Sequence, residues 1–222
     1  MLFDAGNTLL FLDHDRMAAA VGAALGVSLD AGRLAGATGA ASRAAERAGG
    51  GDRDRARVYL EALFTGAGIP AERMGEVAAC LQGIHDESHL WCRLAEDTRA
   101  VLDRLRARGL RLGVVSNSDG RVEEALVAAG IRDCFDVVLD SALVGVEKPD
   151  PTIFRAALAA LGVAASEALY VGDLYDVDVV GARAAGMEGV LLVRDGDEPG
   201  RDCLRFASLT ALADDLLNGG RS

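Results

Sequence analysis

The chain has 222 residues, half of them hydrophobic, with a formal net charge of −11 and a pI near 4.7. Its length suits one domain with an insertion, or two small domains. The acidic balance argues against nucleic acid or an anionic membrane as partner but permits a small phosphorylated substrate beside a local cation. Because the sequence shows no long apolar run and no secretory leader pattern, we expect a soluble, cytoplasmic protein.

The first ten residues, MLFDAGNTLL, predict a short buried strand followed by a turn. Apolar residues lead into Asp4, and the turn-forming residues Gly6, Asn7 and Thr8 follow it. In an open α/β sheet, a carboxylate at this place points into the crevice where ligands bind, which makes Asp4 the first candidate catalytic residue. The alternative is that Asp4 only opens the turn.

An all-helical block is predicted between about residues 13 and 92. Met17, Val21 and Leu25 have helical spacing and Gly26 follows them, while Pro70 is typical of a helix start. The predicted helices cover residues 16–25, 30–48, 52–64 and 70–90.

Strands and helices then alternate to the end of the chain. Strands are predicted at 110–116, 135–139, 168–171 and 189–193, and helices at 97–108, 121–129, 150–161, 177–185 and 209–217. Strands that alternate with helices in this way pair in parallel. We therefore predict an α/β fold: a doubly wound parallel sheet from residues 1–12 and 93–222, with an all-helical domain, residues 13–92, inserted after its first strand.

Polar side chains follow each of these strands. Ser116 ends the second strand, and Lys148 lies in the loop after the third. Asp173 follows the fourth strand, and Asp178 comes five residues later. Because parallel strands share a carboxyl edge, we expect these groups to converge with Asp4. Three carboxylates around one point need a cation, and their hard oxygen atoms suit Mg²⁺, so the pattern indicates phosphoryl transfer.

The basic residues carry a further signal, because Lys148 is the only lysine among 23 Lys and Arg. All the other basic positions hold arginine, which indicates that this chain uses arginine wherever arginine or lysine would serve. A single remaining lysine suggests a place where a compact ammonium fits and a planar guanidinium does not. The alternative is that this one lysine has been retained by chance.

Taken in order, these motifs resemble those of the haloacid dehalogenase (HAD) superfamily of hydrolases, with a helical C1-type cap inserted after the first motif. DAGNT is similar to the DxDGT-like first motif of the family. Gly172, Asp173 and Asp178 match its fourth motif, GDxxxxD. The matching residues are Asp4 to Thr8, Ser116, Lys148, Gly172, Asp173 and Asp178. The resemblance covers the whole chain, and it implies that the cap closes over the crevice and selects the substrate.

The resemblance also implies roles for the matching residues. Asp4 would be the nucleophile that becomes an aspartyl phosphate, and Ser116 and Lys148 would complete the catalytic set. The phosphate-binding residues would be Thr8, Ser116, Asn117 and Lys148.

For the metal, the resemblance implies a Mg²⁺ site. Asp4, Asp173 and the backbone carbonyl of Gly6 would bind the ion, and Asp178 would bind it directly or support the other ligands.

Gly6 departs from the family pattern. In the family's phosphatases this position holds a second Asp, the general acid that protonates the leaving oxygen and then activates water. Such a proton shuttle contributes roughly 10²- to 10⁴-fold in rate, so its absence predicts weak turnover. Asp13, His14 and Asp15 are the nearest other acids and bases in the sequence, unless they only cap the next helix.

We therefore predict a Mg²⁺-dependent hydrolase of small phosphate monoesters, acting on a small phosphorylated metabolite as a monomer or homodimer. Two alternatives stay open: a catalytically impaired protein that binds or senses a phospholigand, and a 2-haloacid dehalogenase. A phosphonate-cleaving member of the superfamily would need a cap lysine, and residues 13–92 contain none.

Overall fold

A computed structural model of the chain describes residues 1–193 and 201–219. The chain divides into two compact units, Met1–Phe11 with Cys92–Ser222, and Leu12–Trp91. The last residues of the predicted core domain, 220–222, lie outside the described residues.

The larger unit is built on a parallel sheet. The strands of the chain are β1 (Leu2–Phe3), β2 (Phe11–Leu12), β3 (Trp91–Arg93), β4 (Gly113–Ser116), β5 (Val137–Asp140), β6 (Leu169–Gly172), β7 (Glu188–Leu192) and β8 (Leu204–Phe206). In the described part of the chain, six of them form one sheet in the order β5-β4-β1-β6-β7-β8, with parallel neighbours, and β2 pairs with β3 separately. The chain winds outward from β1 in both directions, which confirms the predicted doubly wound α/β fold.

Helices account for most of the remaining structure. They are α1 (His14–Leu25), α2 (Ala31–Ala48), α3 (Asp52–Gly66), α4 (Met74–Glu87), α5 (Thr98–Ala107), α6 (Val122–Ala128), α7 (Ser141–Val144), α8 (Pro151–Leu161), α9 (Val180–Ala184) and α10 (Leu209–Leu217). A π-helical turn, Tyr175–Val179, precedes α9. Within residues 1–193 and 201–219, none of these helices combines the length and apolar character needed to cross a bilayer.

Three short strands and one short α-helix were not predicted from the sequence: β2, β3, β8 and α7. Each has only two to four residues, too few to show the period of a strand or a helix. The predicted helix at 70–90 is also shorter in the structure. It begins with a 3₁₀ turn at Ala71–Arg73 and ends at Glu87, where Ser88 adopts an extended backbone.

The smaller unit, Leu12–Trp91, has its own apolar core. Its most deeply buried side chains come from three helices and include Met17, Leu34, Leu63 and Phe64. Arg16 of α1 donates hydrogen bonds to the carbonyls of Ile84, Ser88 (2.9 Å) and His89 (3.4 Å), and so pairs carbonyl groups at and just beyond the end of α4.

The strand β1 is short and lies at the centre of the sheet. Leu2 pairs with Gly113 on one side and Tyr170 on the other, and Phe3 pairs with Val114 and Val171. Both β1 side chains are fully buried. A two-residue strand with neighbours on both sides has its register fixed by packing above and below the sheet.

At the end of β5, the buried carboxylate of Asp140 joins three backbone segments. It accepts N–H bonds from Gly120 (3.0 Å), Val122 (3.2 Å) and Ala142 (3.0 Å). The first two donors lie in the loop after β4 and at the start of α6, and the third lies in α7. Asp140 therefore fixes the loop that follows Ser116.

Replacing Asp140 by Ala should lower the free energy of unfolding by about 3 kcal/mol, because three N–H groups lose a buried, charged acceptor. The matched control is Asp150→Ala, which removes an exposed carboxylate that caps α8 through the Thr152 N–H at 2.8 Å. We expect the control to lose about 1 kcal/mol. Urea unfolding of both variants measures the difference, and equal losses would show that Asp140 is not the stronger anchor.

Candidate active site

The candidate site lies at the carboxyl edge of the parallel sheet. Asp4 directly follows β1, Ser116 ends β4, and Asp173 directly follows β6. Since β1 lies between β4 and β6, these three residues leave the sheet side by side. The backbone N–H of Asp4 donates to the Val171 carbonyl at 2.8 Å, which extends the pairing of β1 with β6 to the carboxylate-bearing residue itself.

The loop after Asp4 is a compact turn. The N–H groups of Leu9 and Leu10 donate to the Ala5 carbonyl at 2.9 and 2.8 Å, and the Asn7 N–H donates to the Leu10 carbonyl at 2.8 Å. Asn7 has a φ of 55°, a left-handed conformation that Asn tolerates better than most residues. Thr8 is buried, and its hydroxyl has no hydrogen-bond partner among the described residues. That Thr8 binds phosphate stays a prediction.

Lys148 lies at the centre of the site with its ammonium group fully buried. Its Nζ donates to Asp4 Oδ1 at 2.6 Å, to Asp178 Oδ1 at 2.8 Å and to the Tyr170 hydroxyl at 2.8 Å. A lysine ammonium has three N–H donors, so these acceptors use all of them. The site thus brings together Asp4, Lys148 and Asp178, which lie far apart in the sequence.

The backbone of Lys148 is held as firmly as its side chain. Asn117 receives the Lys148 N–H on Oδ1 at 2.8 Å and donates from Nδ2 to the Lys148 carbonyl at 3.0 Å. The neighbouring hydroxyl of Ser116 donates to the Asn117 carbonyl at 3.3 Å. Asn117 therefore ties the end of β4 to the loop that carries Lys148, and its predicted contact with phosphate stays a prediction.

Asp178 is also fully engaged in hydrogen bonds. While Oδ1 accepts from Lys148, Oδ2 accepts the backbone N–H groups of Asp173 at 3.1 Å and Leu174 at 2.9 Å. The carboxylate fits beneath Gly172, where a Cβ atom would lie 2.3 Å from the Asp178 carboxyl carbon. Glycine at position 172 is therefore required for this close approach.

Burial and mutual repulsion control the charges of the site. Burial raises the pKa of Asp4 to about 6; the Lys148 ammonium acts to lower this pKa and Asp178 to raise it. Burial also raises the pKa of Asp173 well above its ordinary value, and repulsion from Asp4 and Asp178 adds to the effect. Burial acts to lower the pKa of Lys148, but attraction to Asp178 and Asp4 outweighs it and raises that pKa well above its ordinary value. Lys148 is thus a stable cation.

Three carboxylates of the site could hold a metal ion. One oxygen each from Asp4, Asp173 and Asp178 lies within 4.8 Å of the others. Such hard oxygen donors suit Mg²⁺, and their mutual repulsion would be relieved by a divalent cation. Since both Asp178 oxygens already accept hydrogen bonds, Asp4 and the half-buried Asp173 are the better placed ligands. Asn7 hydrogen-bonds the Asp173 carboxylate and orients it.

Sequence reasoning missed two residues that organise the site, Tyr170 and Asp140. The Tyr170 hydroxyl contacts Lys148, and Asp140 holds the loop after Ser116. Neither residue belongs to a spaced motif. The available signal for Tyr170 was a hydroxyl within a buried strand, because such a group needs a hydrogen-bond partner. For Asp140, the signal was a carboxylate at the end of an apolar strand.

The amino-acid sequence of the chain is similar to one protein family and to several individual proteins. Residues 1–186 match the sequence model of the haloacid dehalogenase-like hydrolases. The chain is 42% identical over 137 residues to haloacid dehalogenase-like hydrolase domain-containing protein 3 of Mus musculus, covering 61% of this chain and 53% of the relative. It is also 42% identical over 141 residues to the phosphoserine phosphatase of Thermus thermophilus, covering 63% and 55%. The chain thus spans about half the length of these curated relatives.

A solved structure shows the likeness over nearly the whole chain. The HAD phosphatase from Thermococcus onnurineus is 25% identical, with a TM-score of 0.61 over 98% of this chain and 97% of that one. The family match covers most of the sequence, including Asp4, Ser116, Lys148, Asp173 and Asp178. The chain therefore belongs to the haloacid dehalogenase-like hydrolases.

Proposed function

We propose that this hydrolase is a Mg²⁺-dependent phosphatase of small phosphate monoesters that works through an aspartyl phosphate at Asp4. The observation that carries the proposal is the buried cluster at the carboxyl edge of the sheet. There the Asp4 carboxylate is held by an ammonium at 2.6 Å and has the oxygens of Asp173 and Asp178 within 4.8 Å. The phosphatases among its relatives support the same reaction class.

In the proposed first step, a carboxylate oxygen of Asp4 attacks the phosphorus atom of the ester. A bond forms between this oxygen and phosphorus, the bond from phosphorus to the substrate oxygen breaks, and that leaving oxygen takes up a proton from solvent water. Water then attacks the phosphorus atom of the aspartyl phosphate, the bond between phosphorus and the Asp4 oxygen breaks, and the attacking water gives up a proton to solvent. Inorganic phosphate leaves, and the Asp4 carboxylate is restored.

The carboxylates fit a divalent cation. Asp4 and Asp173 would hold Mg²⁺ with the backbone carbonyl of Gly6, while Asp178 keeps Lys148 and the loop after β6 in place. When bound there, Mg²⁺ would offset the negative charge of the phosphoryl oxygens and of the nucleophile.

The remaining residues would hold the phosphoryl group and the geometry around it. The Ser116 hydroxyl lies at the end of β4, beside β1, and would turn from the Asn117 carbonyl, to which it donates at 3.3 Å, to donate to a phosphoryl oxygen. Lys148 contributes its positive charge, because its three N–H groups are used by protein acceptors. Asn117 fixes the Lys148 backbone. The unit Leu12–Trp91 would serve as the cap that selects the substrate.

The decisive experiment measures phosphate release from a panel of small phosphate esters and acyl phosphates, phosphoserine among them. We expect release to need Mg²⁺ and to stop when a chelator is added. Asp4→Asn, which keeps the shape of the side chain but removes the nucleophilic carboxylate, should lower kcat at least about 10³-fold.

The matched control for this experiment is Asp150→Asn, which alters an exposed carboxylate of the same unit and should leave kcat unchanged. Equal release by wild type and Asp4→Asn would contradict the proposal. If both proteins are folded and neither releases phosphate, the result would favour a phospholigand-binding protein. Gly6 in place of the general acid also points to that alternative. Chloride release from a 2-haloacid would instead identify a dehalogenase.

Restoring the general acid should increase turnover. In Gly6→Asp, a carboxyl group returns two residues after the nucleophile, and we expect kcat to rise by about 10²-fold or more for esters with poor leaving groups. Acyl phosphates should gain less, because their leaving groups need no proton. The double variant Asp4→Asn with Gly6→Asp is the control and should stay inactive. An unchanged kcat in Gly6→Asp would show that proton transfer does not limit the reaction.

A further inference from the structure

The Lys148 ammonium has an unusual set of partners. Two are the carboxylates of Asp4 and Asp178, and the third is the neutral hydroxyl of Tyr170 at 2.8 Å. The first two partners belong to the motifs that identify the family, whereas Tyr170 belongs to none of them. The lysine side chain is 2% exposed, so water is not available to replace a lost acceptor.

Tyr170 is itself held rigidly. It lies in β6 opposite Leu2 of β1, is fully buried, and packs edge-on against the Phe154 ring with 4.9 Å between the ring centroids. Its hydroxyl donates to the Val115 carbonyl of β4 at 2.7 Å. The side chain thus reaches past β1 and links β6 to β4. These two strands flank β1, which Asp4 directly follows.

The direction of this hydrogen bond determines what the hydroxyl offers to Lys148. A tyrosine hydroxyl has one proton, and here the Val115 carbonyl receives it. Only lone pairs remain for the ammonium. Burial raises the pKa of Tyr170 well above its ordinary value, so the group stays neutral. It accepts a hydrogen bond without adding a further negative charge beside Asp4 and Asp178.

We propose that Tyr170 is a positioning residue that fixes the direction of the Lys148 ammonium, so that one N–H stays on Asp4 and one on Asp178. With the hydroxyl in place, the three acceptors define one orientation of the ammonium. Without it, one N–H has no acceptor and the group can rotate between the two carboxylates. The catalytic consequence of this proposal rests on the proposed phosphatase function, but the structural part does not.

A direct test uses the fact that Lys148 is the only lysine of the chain. Labelling with ¹⁵N-lysine gives a single side-chain ammonium signal in NMR, free of overlap. In the wild type we expect a slowly exchanging signal. In Tyr170→Phe, which keeps the ring, the ¹⁵N shift should change and proton exchange should be about tenfold faster, because one hydrogen bond to the ammonium is lost.

The matched control is Tyr175→Phe, which removes an exposed hydroxyl bonded to Asp202 at 2.8 Å and should leave the Lys148 signal unchanged. Identical signals in wild type and Tyr170→Phe would overturn the proposal, and so would fast exchange in the wild type. If Tyr170→Phe does not fold, 3-fluorotyrosine in place of all three tyrosines makes the hydroxyl a weaker acceptor with little change of shape. The Lys148 signal should then shift, and an unchanged signal would again overturn the proposal.

Kinetics test the catalytic consequence. Because Tyr170 acts on the nucleophile through Lys148, Tyr170→Phe should lower kcat about tenfold and leave KM within about twofold of wild type. A rise in KM at constant kcat would instead show that the hydroxyl serves substrate binding. If the wild type releases no phosphate from any ester, the proposed function fails, while the NMR signal still decides whether Tyr170 orients Lys148.

Discussion

The ammonium group of Lys148 lies 2.6 Å from Asp4 and 2.8 Å from Asp178 in the interior of the protein. Taking three charges out of water costs several kcal/mol for each ion, and only close pairing offsets this cost. Each member therefore depends on the others: without the ammonium, two buried carboxylates would repel one another directly. The geometry also accounts for the choice of residue, because the three acceptors surround a compact point charge and a planar guanidinium would not fit among them.

The fold holds this group from several sides. Asn117 binds both backbone polar groups of Lys148, Gly172 leaves room for Asp178, and two N–H groups of the following loop pair with the same carboxylate. Gly6 takes no part in these contacts. If the proposed function holds, glycine in place of a general acid at position 6 leaves the charged cluster intact and removes only a route for the proton. Binding of a phosphoryl group and efficient proton transfer would then be separable properties of this scaffold.

The sequence predicted the parallel sheet, its long helices and the residues at its carboxyl edge, because apolar runs and motif spacing record them directly. It did not predict β8 or α7, which are too short to show a period. The roles of Tyr170 and Asp140 could not be predicted from the sequence for another reason. Their importance comes from contacts with residues distant in the chain, at the Val115 carbonyl and the Gly120 N–H, and no local pattern encodes such contacts. Likewise, spacing indicated that Asp178 belongs to the site but not that hydrogen bonds already occupy both of its oxygens.

The brevity of β1 has a consequence for folding. Its two residues form the centre of the sheet, yet their partners, Gly113 and Tyr170, occur much later in the chain. Loop-closure entropy disfavours such distant pairings until the intervening segments have folded. During synthesis on the ribosome, the segment that carries Asp4 emerges before β4 and β6, and its strand is enclosed only after both have been made. Asp4 is thus made before the strands on either side of β1 and becomes ordered only after them.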